Sequence, residues 1–237
     1  MRPTTPGDDE IHQHSGWLIP LGVGFLILAL CGLFLGWYLR PWPRPHAAPT
    51  SQPTPVRFSL GDVTLVVPAN YIENAAARRG GAQKAVALTA IFPNMEGYSA
   101  ARADLFRSNA PDAPLIHILL RADPGALDGR TRLDRIYRPY IETPGGAPGP
   151  LGLTRYTFRS DSGYARSDLY AGAGKAGLLL FLCQRAAPDL PSPNCIAIDR
   201  PLGRDLGLSY RFKRAYLGRW REVAAAVDGL IARFAKA

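Results

Sequence analysis

LGLSYRFKRAYLGRWREVAAAVDGLIARF, residues 206–234, changes its hydrophobic period partway along. Leu206, Leu208, Tyr210 and Phe212 alternate with Ser209, Arg211 and Lys213, the two-residue period of a strand with one buried face. From Leu217 onward the apolar residues step by three and four instead. Trp220, Val223, Ala224, Val227, Leu230, Ile231 and Phe234 form one stripe, and Arg219, Arg221, Glu222, Asp228 and Arg233 take the other side. A helix so striped has to bury that face, and a sheet is the available partner. The stretch predicts an α+β domain.

The chain upstream supplies the sheet. Val56, Phe58 and Leu60, then Gly61-Asp62, then Val63, Leu65 and Val67 read as a hairpin. Ala85–Phe92, Leu115–Leu120, Leu153–Arg159, Tyr164–Ala171, Leu178–Cys183 and Cys195–Asp199 read as further strands, several joined by Gly/Ser/Asp turns. LIHILL at 115–120 is apolar on both faces apart from His117, which predicts a central strand with that imidazole in the core. Short helices are expected at Ser99–Ser108 and Thr131–Ile141, the second stopped or kinked by Pro139. Thr143–Pro150 reads as a loop. The result is a mostly antiparallel sheet packed by two or three helices, including the long carboxy-terminal amphipathic one. There is no β-α-β alternation and no G-x-G-x-x-G between a strand and a helix, so a dinucleotide fold is not expected.

Cys183 and Cys195 end one strand and begin the next around the loop PDLPSPN, and antiparallel neighbours bring such a pair within bridging distance. A disulfide is the expectation, and closing a loop of this length contributes roughly 3 kcal/mol in the chain-entropy model. Two cysteines with no histidine nearby make no zinc site. Catalytic signatures are lacking too. His117 is the domain's only histidine, G-x-S-x-G is absent, and the aspartates are scattered singly. Gly172-Ala-Gly-Lys175 departs from a phosphate loop because Ala176 follows the lysine and a strand comes next. Neither a metal, a cofactor nor a nucleic acid is called for.

The formal charge is +9, from 28 Lys+Arg against 19 Asp+Glu. Arg2, Arg40 and Arg44 lie outside the domain, as do Asp8, Asp9 and Glu10, so the domain keeps the whole excess. Nearly all of it is arginine, which together with 24 Gly and 22 Pro looks like high-GC bacterial coding. Such an excess suits an anionic membrane or an acidic partner, although scattered arginines also read as a solvated surface. Arg132, Arg135 and Arg138 group on the 131–141 helix as a candidate anion or lipid-headgroup contact, with pairing to Asp134 and Glu142 as the plainer alternative.

Ahead of the domain, WLIPLGVGFLILALCGLFLGWYL at 17–39 carries no charge and exceeds the roughly 20 helical residues that cross a bilayer. Trp17, Trp37, Tyr38 and Trp42 mark headgroup depth at its ends. The apolar core is too long for a cleaved signal peptide, acidic residues interrupt the region before it, and no A-x-A follows. The organisation is therefore a tail (1–16), a retained transmembrane signal anchor (17–39), a stiff Pro-rich linker (40–55) and an extracytoplasmic α+β domain (56–237). Flanking Arg2, Arg40 and Arg44 barely orient the helix and lean towards a cytoplasmic domain. The cysteine pair favours an oxidising compartment and decides the expectation: a single pass through a bacterial inner membrane with the domain in the periplasm. Gly32 and Gly36 form a G-x-x-x-G, the spacing for close helix contact, and so for a homodimer within the lipid bilayer.

With a location and no catalytic group on view, the expected function is non-enzymatic. The chain reads as an accessory, assembly or binding subunit for a membrane or periplasmic protein partner. An immunity-type protective protein, and a periplasmic enzyme whose site is assembled from dispersed residues, are the alternatives.

Overall fold

The computed structural model describes residues 18–39, 48–123, 125–175, 177–203 and 206–236. The tail 1–16, Trp17 and the first half of the Pro-rich linker lie outside these residues. The chain divides into two units, Met1–Pro45 and His46–Ala237. In the first, α1 (Leu18–Tyr38) is one helix of 21 residues, long and apolar enough to cross a membrane. Its large apolar side chains are exposed from Ile19 to Tyr38. Pro20 falls in the first turn, where a missing N–H removes no helical bond.

In the second unit the described strands make two sheets. β1 (Pro55–Leu60) and β2 (Val63–Pro68) are the expected hairpin, with Phe58 opposite Leu65. β3 (Gly81–Gln83) adds to β1 in parallel, a three-residue strand that begins on a glycine. The large sheet contains β4 (Ala85–Ile91), β5 (Leu115–Ala122), β6 (Ala147–Pro148), β7 (Thr154–Thr157), β8 (Ser167–Gly174), β9 (Gly177–Gln184), β10 (Asn194–Pro201) and β11 (Leu206–Lys213). Its order is β4-β5-β11-β10-β9-β8-β7-β6, antiparallel throughout. From β6 onward the chain meanders; the β4–β5 hairpin docks beyond β11. β6 lies within the stretch that reads as a loop, and its Pro148 is tolerated because the strand is an edge.

The stripe on α4 (Trp220–Lys236) is buried as its spacing requires. Trp220, Val223, Val227, Leu230 and Phe234 share one core with Phe58, Leu60 and Leu65 of the small sheet. Ile116, Ile118, Leu120, Leu208, Tyr210 and Phe212 join it from the inner face of the large sheet. A second, smaller core lies on the outer face. α2 (Ala103–Arg107) precedes β5 and takes no part in this core; the covering segment is α3 (Gly129–Arg132), a π turn at Leu133–Tyr137 and a 3-10 turn at Arg138–Tyr140. Leu133, Tyr137 and Ile141 of this segment pack on Leu169, Ala171 and Leu180 of β8 and β9. Asp128 caps it, its Oδ1 accepting from the Thr131 N–H at 3.0 Å. Gly129 lets the segment ride on β9, since a Cβ there would stand 1.9 Å from the Leu178 carbonyl oxygen.

One expectation fails. β5 is the second strand from an edge, and it alternates: Ile116, Ile118 and Leu120 are buried inward, while His117, Leu119 and Arg121 face out and are only half-buried. The outer helical segment covers β8 and β9 and stops short of β5, so His117 is not a core residue.

Candidate interaction face

The uncovered part of the outer face is built row by row from the strand register. His117 of β5 lies opposite Arg211 of β11, Arg211 opposite Ile196 of β10, and Ile196 opposite Leu182 of β9. One row over, Leu119 faces Ser209; one row the other way, Lys213 faces Asn194. Because Leu208, Tyr210 and Phe212 turn inward, Arg211 and Lys213 have to turn outward. Ile196 remains 43% exposed, unusual for a domain isoleucine in mid-strand.

Charge on this face is lopsided. His117 Nδ1 is 2.8 Å from Glu73 Oε1, and Arg121 pairs with Asp199 and, at 3.3 Å, with Asp123. Arg211 has no ion pair among the described residues. Lys213 is 7% exposed, and its Nζ donates to Asn109 Oδ1 at 2.6 Å and Ser192 Oγ at 2.8 Å, both neutral. Burial, with the charge of Arg211 adding to it, pushes the Lys213 amine below its ordinary value. Two neighbouring cations on one face of β11 thus have no counter-charge among the described residues.

Beside this strip a pocket of about 210 Å³ is lined by Glu73, Thr89 and His117, with Tyr98 and Phe106 edge-to-face at 5.2 Å. Glu73 orients the imidazole as the carboxylate of a general-base pair does. A nucleophile is what the pair lacks: Thr89, directly opposite His117, makes no hydrogen bond to it among the described residues. Nor do the described residues hold a cluster of three or more His, Cys, Asp or Glu suited to a metal.

The other sequence-derived residues lie elsewhere. Cys183 and Cys195 are bonded, directly opposite on β9 and β10 and buried inward, with Cα atoms 4.0 Å apart. Arg138 is held by Asp134, whose Oδ1 accepts from its Nε at 3.0 Å; Arg135 is exposed; Arg132 is half-buried, its Nε without a partner among the described residues. The π turn at Leu133–Tyr137, which contains Arg135, takes more residues per turn and so narrows the angular step, and the three are not spaced as in a regular α-helix. On α1, a Cβ at Gly32 or Gly36 would meet nothing within 4 Å.

Two inward-facing polar groups carry less of a sequence signal. Asp168, 4% exposed, lies in the same row as Cys183 and accepts from Arg185 Nε at 2.8 Å and Arg214 Nη2 at 3.1 Å. An aspartate in phase with Tyr170 on an alternating strand was the available clue. Tyr210 lies near the Arg200–Asp228 pair, yet its hydroxyl and Arg200 Nε are both buried without partners among the described residues. Burial raises the phenols of Tyr137, Tyr170 and Tyr210 above their ordinary value. The unfolded chain therefore gives up these protons first, near pH ~10, so their contribution is complete below that pH and is lost as pH rises. Tyr210→Phe removes an orphaned hydroxyl and is expected to raise stability at pH 7 by about 1 kcal/mol and to shallow the alkaline loss. Urea titration of the full chain in mild detergent at several pH values checks both, and a clear destabilisation at pH 7 would mean the hydroxyl has a partner.

No protein-family model matches the sequence, and no curated protein matches it. Among solved structures, the fold is similar to that of an immunity protein of the Stenotrophomonas maltophilia type IV secretion system. The TM-score is 0.56 at 21% identity, over 77% of this chain and 94% of that one.

Proposed function

We propose that the chain is an immunity-type protein: held in the inner membrane by residues 17–39, with the domain in the periplasm, it protects the cell by binding a harmful protein. The observation that carries this reading is the likeness in fold to a secretion-system immunity protein, which takes in nearly the whole of that protein. The disulfide suits an oxidising compartment. A sheet face left open, with an exposed isoleucine beside an arginine that has no ion pair among the described residues, suits a protein-binding role.

The test uses the full-length tagged chain in its own bacterium. It is cross-linked in the cell, extracted in mild detergent, and its partner identified by mass. That partner, directed alone to the periplasm of a host, is expected to stop growth, and co-expression of this chain to restore it. A stable partner that does no harm would instead favour the accessory or assembly-subunit reading, for which the Gly32/Gly36 face offers a second contact within the bilayer. Finding no partner sinks both. Alkaline phosphatase fused after Ala237 is expected to be active; activity of a cytoplasmic reporter alone overturns the periplasmic placement.

A further inference from the structure

The outer face can be read more closely, on the premise that the chain binds a protein. We propose that the β11 strip binds an acidic segment of that partner, with a carboxylate seated on Arg211 and apolar neighbours packed on Ile196 and Leu119.

Three observations converge there. Arg211 is exposed, directly opposite His117, and has no carboxylate partner among the described residues. Lys213, two positions on along the same face, is nearly buried and, among the described residues, bonded only to neutral oxygens, so its field is poorly screened by water and none of their carboxylates offsets it. Placing like charges this way destabilises the free protein, and an incoming carboxylate relieves it. The third is apolar: Ile196 lies immediately across from Arg211 and is 43% exposed, next to half-buried Leu182, while Leu119 lies one row away.

The chemistry also selects the occupant. Arginine presents a planar fork that matches a carboxylate in two parallel hydrogen bonds. Among the described residues of the strip, Arg211 carries the one guanidinium without a carboxylate, and aliphatic side chains flank it. A phospholipid surface or a nucleic acid would call for several free cations and would gain nothing from those aliphatics. An arginine anchor inside an apolar patch is the pattern of a protein interface. Arg121 and His117, already paired to Asp199 and Glu73, bound the strip and leave Arg211 as its anchor.

A photo-crosslinking residue placed at Ile196 in the full-length chain, in its own membrane, tests this; a second chain carries the same residue at Arg57, exposed on the small sheet. The expected result is an adduct with one protein from position 196 and none from 57, the captured peptide containing Asp or Glu close to the linked residue. Arg211→Glu should reduce the adduct at least tenfold, while Arg211→Lys keeps much of it. Circular dichroism of both variants checks that the fold is unchanged. An adduct from position 57 alone, or one unaffected by Arg211→Glu, overturns the acidic-segment proposal and leaves the immunity reading standing. Adducts consisting only of lipid, or of two copies of this chain, overturn it likewise. Absence of any adduct, together with absence of a partner by general cross-linking, removes both.

Discussion

Trp220→Ala should destabilise the domain by about 4 kcal/mol, within the range for losing a fully buried indole. Trp220 is 1% exposed at the start of α4, with its ring edge-to-face on Phe181 at 5.7 Å and the Arg221 guanidinium 4.5 Å above it. The sheet is shaped to receive it. Gly172 of β8 has no side chain where the indole lies, and a Cβ there would come within 3.0 Å of Trp220 Cη2 and Cζ2. Truncation to alanine therefore leaves a cavity whose β8 wall has no side chain to swing in, Leu153, with Cδ2 2.6 Å from where a Gly172 Cβ would stand, being the neighbour placed to relax towards it. For a domain whose total stability lies at roughly 5–15 kcal/mol, that loss is a large share. Urea denaturation of the full chain in detergent, followed by circular dichroism, is the measurement; Trp220→Phe, which keeps an aromatic contact with Phe181, should lose about half as much. A Trp220→Ala loss below about 1 kcal/mol would mean that the site collapses freely, and the packing described for α4 would be wrong.

Asp168→Ala should cost about 3 kcal/mol. Its carboxylate is almost fully buried and accepts from two arginines, while Arg214 also donates to Tyr170 Oη at 2.9 Å and to the Gln184 carbonyl at 2.6 Å. Without the carboxylate, Arg214 keeps its charge in a mostly buried position with only neutral acceptors, and breaking a buried pair from one side costs more than the pair contributes. Arg185 is better solvated and loses less, which sets the figure at the low end of the usual range. The asymmetry supplies the control: Asp168→Leu combined with Arg214→Met should recover much of the loss, because both charges are then gone. If the double substitution is as damaging as the two singles added, the cluster matters through its hydrogen-bond geometry and not through an uncompensated charge.

The elements legible in the sequence are those whose signal is local and repetitive. The α4 stripe, the β1–β2 hairpin and the short helix before β5 follow from periods and turn residues. The disulfide followed from strand order, since adjacent antiparallel strands joined by one loop have few ways to pair. His117 was misread because six largely apolar residues in a row show that a strand is well packed without showing where the outer layer ends. β3 and β6 are too short to have a period at all. Asp168 is a scattered aspartate until the pairing of β8 with β9 brings Arg185, just past β9, and the 3-10 turn after β11 brings Arg214 to it.

For residues 206–234, the sequence by itself determined both elements and their faces: a strand with Arg211 and Lys213 turned away from the core, then a helix whose stripe must be covered. Backbone geometry repeats every two or 3.6 residues whatever lies beyond it, so those assignments need no knowledge of the rest of the chain. Only the tertiary structure decided which strand lies next to β11, and so that His117 stands opposite Arg211, that Ile196 stays uncovered, and that Lys213 is buried against the neutral oxygens of Asn109 and Ser192. Those relations depend on β5 pairing across a long stretch of chain and on how far the 129–141 segment reaches over the sheet, neither of which is encoded in a local period.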